Sequence, residues 1–275
     1  MVRAAALGFL MASLLATSAL AAPLGAKPAH IVSLNLCADQ YVVRLAERAR
    51  IASLSPLAVD PELSAVAGEA AGLPRNRGRA EDVILLGPDL VIAGDTTDAA
   101  TLGLLRRLGI PVIELEAATT TQAVRSQTQR VANAFGEPEK GEAWIATMDA
   151  ALGTGRGEGI QPRALYWNEN GFSVGQGTLM DEFFHRAGYL NAAREAGLAG
   201  YGRVPLETLV LAAPDLLVMS AKVPGRASNA RALLAHPAVK AAMAGKRQLE
   251  LPAALSTCET PDSAAIVPLL VAARP

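Results

Sequence analysis

Two cysteines, three histidines and one serine in a glycine-rich turn are the side chains with which this sequence could do covalent or metal chemistry. Ser173, in "GFSVGQGTL", would need a base, and the only nearby histidine is His185 on the helix expected to follow. No G-x-S-x-G and no phosphate-binding G-x-x-x-x-G-K-[ST] occurs, so an enzyme is not expected. His30 opens a strand, His185 sits on a helix and His236 precedes a proline. No i, i+4 pair links them, so no resident metal or other cofactor is expected. Cys37 and Cys258 each follow a strand. They could bond to each other or offer soft ligands to a metal, and the sequence leaves both open. Closing so long a loop is worth about 4–5 kcal/mol in the chain-entropy account.

What remains is non-covalent recognition. "GLPRNRGR" places Arg75 and Arg77 in a loop, where guanidinium groups suit carboxylates or catecholates or form a solvated turn. Trp167, Asn168 and Asn170 follow the strand pattern "PRALYW", and Tyr201 opens "YGRVPLETLV". Asn35, Leu36 and Cys37 follow "HIVSL" in the same way. Trp167 is either a ligand platform or core. Trp144, at helical spacing with Ile145 and Met148, reads as core.

The elements that must position these residues follow from periodicity. Short β-branched runs ("HIVSLNL", "DLVIAG", "IPVIELE") alternate with amphipathic stretches ("ADQYVVRLAERA", "TDAATLGLLRRLG"). That alternation predicts a mostly parallel sheet with helices on both faces. From Thr120 to about Leu152 the chain is helical, broken once at Gly136-Glu137-Pro138. "GTGRGEG" then reads as a linker, since it follows a helix rather than a strand. The alternation restarts with "PRALYW" and ends in "SAAIVPLLVAA", a helix expected to kink at Pro268. The reading is an α/β protein of two units with mostly parallel sheets. The boundaries are 28–136 for the first, 137–155 for one linking helix and 160–275 for the second.

One sentence of the sequence is written twice. "LLGPDLVIAG" returns as "LAAPDLLVMS", and Glu81, Pro88 and Asp89 recur as Glu207, Pro214 and Asp215 at one offset (207 − 81 in the first case). This is read as an internal repeat. Two facing parallel sheets would aim their carboxyl ends at one cleft, a usual place for a small-molecule site.

Of the 275 residues 51% are hydrophobic, only 4% are aromatic, and the net charge is −1. That balance lacks the basic footprint of a nucleic-acid partner. The start, "MVRAAALGFLMASLLATSALAAP", has Arg3, a short apolar run and Ala19-Leu20-Ala21. It reads as a secretory signal, residues 1–21, cut after Ala21, which predicts a periplasmic location.

Together, the signal, "HIVSLNLCADQ", "GRAEDVILLGPDLVIAG", the linking helix and "GYGRVPLETLVLAAPDLLV" resemble the periplasmic binding proteins of importers for ferric siderophores and cobalamin. The resemblance covers Pro28 to Ala273. It implies two Rossmann-like lobes bridged by one backbone helix. It also implies capture of a metal chelate between the lobes and delivery to an inner-membrane ABC permease with its ATPase. Glu81 and Glu207 match the positions of permease-docking acids, with the ordinary first-turn glutamate as the other reading. Tyr201 matches an aromatic ligand contact. Arg75 stands where the cobalamin binder has another aromatic, which favours an anionic cargo. The expectation is a monomeric carrier of a ferric siderophore first and a cobalamin or other corrinoid next. Haem, a free metal or a ligand-sensing role are the alternatives.

Overall fold

A computed structural model describes residues 27–153, 161–168, 171–221 and 236–275. The expected signal, most of the glycine-rich linker, Asn170 and the helical pattern over 228–235 lie outside the described residues.

The first sheet has four parallel strands: β1 (Ile31–Ser33), β2 (Ile51–Ser53), β3 (Leu90–Gly94) and β4 (Val112–Leu115), in the order β2-β1-β3-β4. β3 is buried along its whole length, as its unbroken apolar sequence requires of a strand covered on both faces. Alternate residues enter different cores. Ile31 and Ile92 pack with Tyr41 and Phe135 on one face, Val32 and Val91 with Leu105 on the other.

The second sheet repeats this plan. Its strands are β5 (Arg163–Tyr166), β7 (Leu190–Asn191), β9 (Leu216–Ser220) and β10 (Arg247–Leu251), in the order β10-β9-β5-β7. All its pairings are parallel. Within each sheet the strands lie second, first, third, fourth. A separate antiparallel pair joins β6 (Phe172–Val174) to β8 (Tyr201–Arg203). The sequence reading took the β6 stretch for a mere turn. Its three residues are too few to show an alternation, and its partner lies about 30 residues away.

The duplicated sentence does the same work twice. Asp89 accepts the backbone N–H of Ala29 at 2.6 Å and of His30 at 2.9 Å. Asp215 accepts that of Arg163 at 2.9 Å. Each carboxylate therefore fastens the head of the sheet's first strand to the start of its third. The turn before it needs a left-handed residue: Gly87 has φ 56° and its counterpart Ala213 φ 39°. Ala213 is the one non-glycine residue with positive φ among the described residues, and it carries the strain that Gly87 avoids.

Between the sheets run two helices, Thr121–Phe135 and Pro138–Leu152. Left-handed Gly136 caps the first, and Pro138 opens the second where its missing N–H costs nothing. Helix Pro138–Leu152 serves both cores. Trp144 packs in the first, edge-on to Tyr41, while Ile145, Met148 and Leu152 pack in the second. Pro268 causes no break, because the closing helix starts at Ile266 and the proline falls in its first turn.

After β10 the chain returns to the first helix, Leu36–Leu45. Cys37 and Cys258 form a disulfide, with Cα atoms 5.3 Å apart across a sequence separation of 221. Asp262 accepts the Trp144 indole N–H at 2.7 Å on one oxygen and the Arg44 guanidinium at 3.0 and 3.1 Å on the other.

Candidate functional site

The carboxyl ends of β1–β4 feed a cleft. Leu34 and Asn35 follow β1, Ser55 and Leu57 follow β2, Asp95 and Thr96 follow β3, and Ala117 follows β4. With Tyr201, Thr257 and Glu259 on the other side they enclose about 560 Å³. Tyr201, Thr257 and Glu259 also line a second cavity of about 250 Å³, which reaches toward Phe183 and Ile266. The two spaces share these three residues as a common wall. Their sizes suit a small-molecule site.

Each part of the wall has a local cause. Asn35 caps the first helix, accepting the Ala38 N–H at 2.9 Å. Ser55 is held by buried Asp39, which accepts its N–H at 2.9 Å and its hydroxyl at 2.5 Å. Burial pushes the Asp39 carboxyl above its ordinary value. Tyr201 is carried by the β6–β8 pair, where its ring stacks on Phe172 with centroids 6.2 Å apart and planes 12° from parallel. Both rings keep an open face, at 46% and 40% exposure. Gly171 makes this possible. It sits at φ 77°, and a Cβ there would come within 2.7 Å of the Val204 carbonyl.

The Tyr201 hydroxyl donates to Glu259 Oε1 at 3.1 Å. Burial, then the Asp95 charge, lifts the Glu259 carboxyl above its ordinary value. Burial and the Glu259 charge push the Tyr201 phenol far upward. The described lining of both cavities contains no Lys, Arg or His. The wall is therefore aromatic and mildly acidic.

This placement reorders the residues singled out in the sequence. Tyr201 and Cys37 lie on the cleft. Trp167 does not: it is 1% exposed, packs among Leu165, Val204 and Leu217, and donates its indole N–H to the Val204 carbonyl at 3.0 Å. Asn168 is spent on the scaffold, giving its amide to the Tyr166 hydroxyl at 2.6 Å and accepting the Ser220 N–H at 2.8 Å. Arg75 and Arg77 are exposed and line neither cavity. Between them Asn76 is buried, donating to the Ser33 carbonyl and the Ser53 hydroxyl at 2.9 and 2.8 Å. That anchor turns both arginines outward. Glu81 and Glu207 are exposed in the first turns of helices Ala80–Ile84 and Leu206–Ala212. Ser173 is buried, its hydroxyl given to the Tyr166 carbonyl at 2.6 Å, while His185 is exposed. Among the described residues no three His, Cys, Asp or Glu side chains gather as a metal site would require.

Sequence reasoning missed Phe172 and Glu259. Phe172 could have been found as an aromatic two residues before Val174, the alternation of a short strand. Glu259 had a signal only in its place next to Cys258.

A two-lobe α/β fold with its cleft at the strand ends is an architecture suited to holding a small molecule. The chain belongs to the periplasmic binding protein family Peripla_BP_2, whose pattern matches residues 31–248. It is a binding protein rather than an enzyme. Among curated proteins it is 26% identical over 225 residues to a cobalamin-binding protein of Halobacterium salinarum, covering 78% of this chain and 60% of that one. The chain thus spans about three fifths of that relative's length. Among solved structures it resembles the periplasmic heme-binding protein RhuT from Roseiflexus sp. RS-1, in apo form, with TM-score 0.66, 23% identity and coverage of 88% and 97%. It also resembles the periplasmic vitamin B12 binding protein BtuF of Vibrio cholerae, with TM-score 0.63, 18% identity and coverage of 90% and 96%. These likenesses show the fold. No helix among the described residues is long and apolar enough to cross a membrane.

Proposed function

We propose that this protein is the exported solute-binding component of an ABC importer and that it captures a flat metal chelate of the corrinoid class. The observation that carries the reading is the stacked, half-open pair Phe172–Tyr201 at the wall between two cavities whose described lining holds no cation. An aromatic face suits a planar conjugated ring. An acidic wall disfavours an anionic cargo. The ferric siderophore expected first from the sequence depended on Arg75 and Arg77 facing the cleft, and they face away. A corrin rimmed by neutral carboxamides meets no such repulsion, and Glu259 and Asn35 can accept from and donate to amides. The cobalamin-binding relative supports the same choice.

Haem is the second reading, favoured by the Tyr201 hydroxyl standing where it could meet a ferric centre. Its propionates would face Asp95 and Glu259, and the raised Tyr201 pKa opposes the phenolate that iron would need. Delivery rests on Glu81 and Glu207, one exposed acid per unit, facing a two-fold permease. The units are 28–136 and 160–275, with 137–155 between them, acting as a monomer in the periplasm after loss of residues 1–21.

Calorimetric titration of the purified mature protein with cyanocobalamin, haemin and a ferric catecholate tests the cargo. Cyanocobalamin should bind most tightly. Haemin binding more tightly, with a ferric absorption band lost in Tyr201→Phe, would transfer the assignment to haem. Tightest binding of the catecholate would overturn both.

A further inference from the structure

Leu85 and Leu211 are the most exposed large apolar residues described, at 87% and 85%, and the next, Leu108, reaches only 54%. A single exposed leucine means nothing. These two occupy the same place in the repeat, four residues after Glu81 and Glu207. On a helix, residues four apart share a face. The Leu85 N–H donates to the Glu81 carbonyl at 3.3 Å, so the turn joining them is intact. Leu211 lies within helix Leu206–Ala212. The opposite side of each helix is spent on the core, through Val83 and Leu209, both 0% exposed. Neither Glu81 nor Glu207 has an ion pair among the described residues, whereas the neighbouring Asp82 is paired with Arg79. Each unit therefore shows the outside the same two-part surface, a free carboxylate and an unburied leucine one turn apart.

We infer that Glu81 with Leu85, and Glu207 with Leu211, form two matching plugs for a two-fold symmetric membrane partner, each half of which offers a cation beside an apolar socket. This deepens the importer reading and rests on it. The acid sets encounter and register. The leucine supplies burial, and with it a slow off-rate. A second copy of this chain fits less well, since it would bring acid against acid.

The test uses the full-length mature protein and right-side-out inner-membrane vesicles from the source cell, with sedimentation as the readout, independent of cargo. Wild type should co-sediment. Leu85→Ser/Leu211→Ser should bind about 100-fold more weakly, through faster release, with a salt dependence like wild type. Glu81→Gln/Glu207→Gln should instead slow association and flatten the salt dependence. Both variants should keep the wild-type melting temperature, since none of these side chains is buried. Vesicle binding by the leucine variant equal to wild type overturns the plug while leaving the importer reading intact. Absence of any wild-type binding overturns both. A dimer of free wild-type protein that the leucine variant abolishes assigns the surface to self-association and also overturns it.

Discussion

Replacing Cys37 and Cys258 together by serine should cost about 5 kcal/mol of stability. The bond closes a loop of sequence separation 221. The chain-entropy relation places a loop of that length near the top of the range for a single disulfide. The native contacts around it would survive. The Tyr41 hydroxyl still reaches the Glu259 carbonyl at 3.4 Å, the Thr260 hydroxyl still reaches Gln40 at 3.3 Å, and Arg44 still holds Asp262. The loss should therefore arise in the unfolded chain, with the folded cleft unchanged. Urea unfolding, followed by tryptophan fluorescence and by far-UV circular dichroism, should show the midpoint falling by about 2 M at a slope of 2–3 kcal/mol/M. Affinity for the cargo should stay within about twofold. A midpoint shift under about 0.5 M would refute the entropic account. A collapse of affinity at unchanged stability would show that the bond shapes the cleft instead.

Other perturbations test single features. Ala213→Gly should stabilise the protein by about 1 kcal/mol in thermal melts, because it relieves the left-handed backbone that Gly87 adopts freely. Glu259→Gln should raise the melting temperature at pH 7 but not below about pH 4. The raised carboxyl pKa means that stability is lost as pH climbs from the ordinary 4.5 through the folded value, and glutamine removes that loss. Asp215→Asn should do the reverse. The Arg163 N–H, then Lys246, lower this carboxyl, so its contribution is present above the ordinary 3.8 and vanishes as pH falls through the folded value. The variant should lose stability at pH 7 and match wild type once the pH has fallen below the folded value. Tyr201→Ala should weaken cargo binding about 10- to 100-fold in calorimetry, through lost stacking and lost area, with a small fall in melting temperature from the lost Phe172 and Glu259 contacts.

The fold was legible wherever pattern and local chemistry agree. The apolar run of β3 with its "PD" turn, the Thr120–Leu152 helical stretch and its Gly136-Glu137-Pro138 break all became elements at the expected places. Such features depend on neighbours in sequence. The site depends on neighbours in space. Nothing near Arg75 says that Asn76 will be the buried member of the trio. That choice is made by the Ser33 carbonyl and the Ser53 hydroxyl on two strands. Trp167 could read equally as platform or core until the Val204 carbonyl took its N–H. Cys37 and Cys258 could be recognised as a possible pair, but which groups they bring along could not. Glu259 enters the cleft because the segment after β10 folds back onto the first helix, a contact between distant parts of the chain that the Cys37–Cys258 bond marks.

Asp262 joins three parts of the chain through one carboxylate: Arg44 from the first helix, Trp144 from the linking helix and the segment that follows β10. A bound cargo would then sit in a vice with a stiff screw. A partner gripping the molecule at both Glu81 and Glu207 has hold of it on either side of that junction. Prising those two grips apart would load Asp262 together with the Cys37–Cys258 bond, since both tie the first helix to the segment after β10.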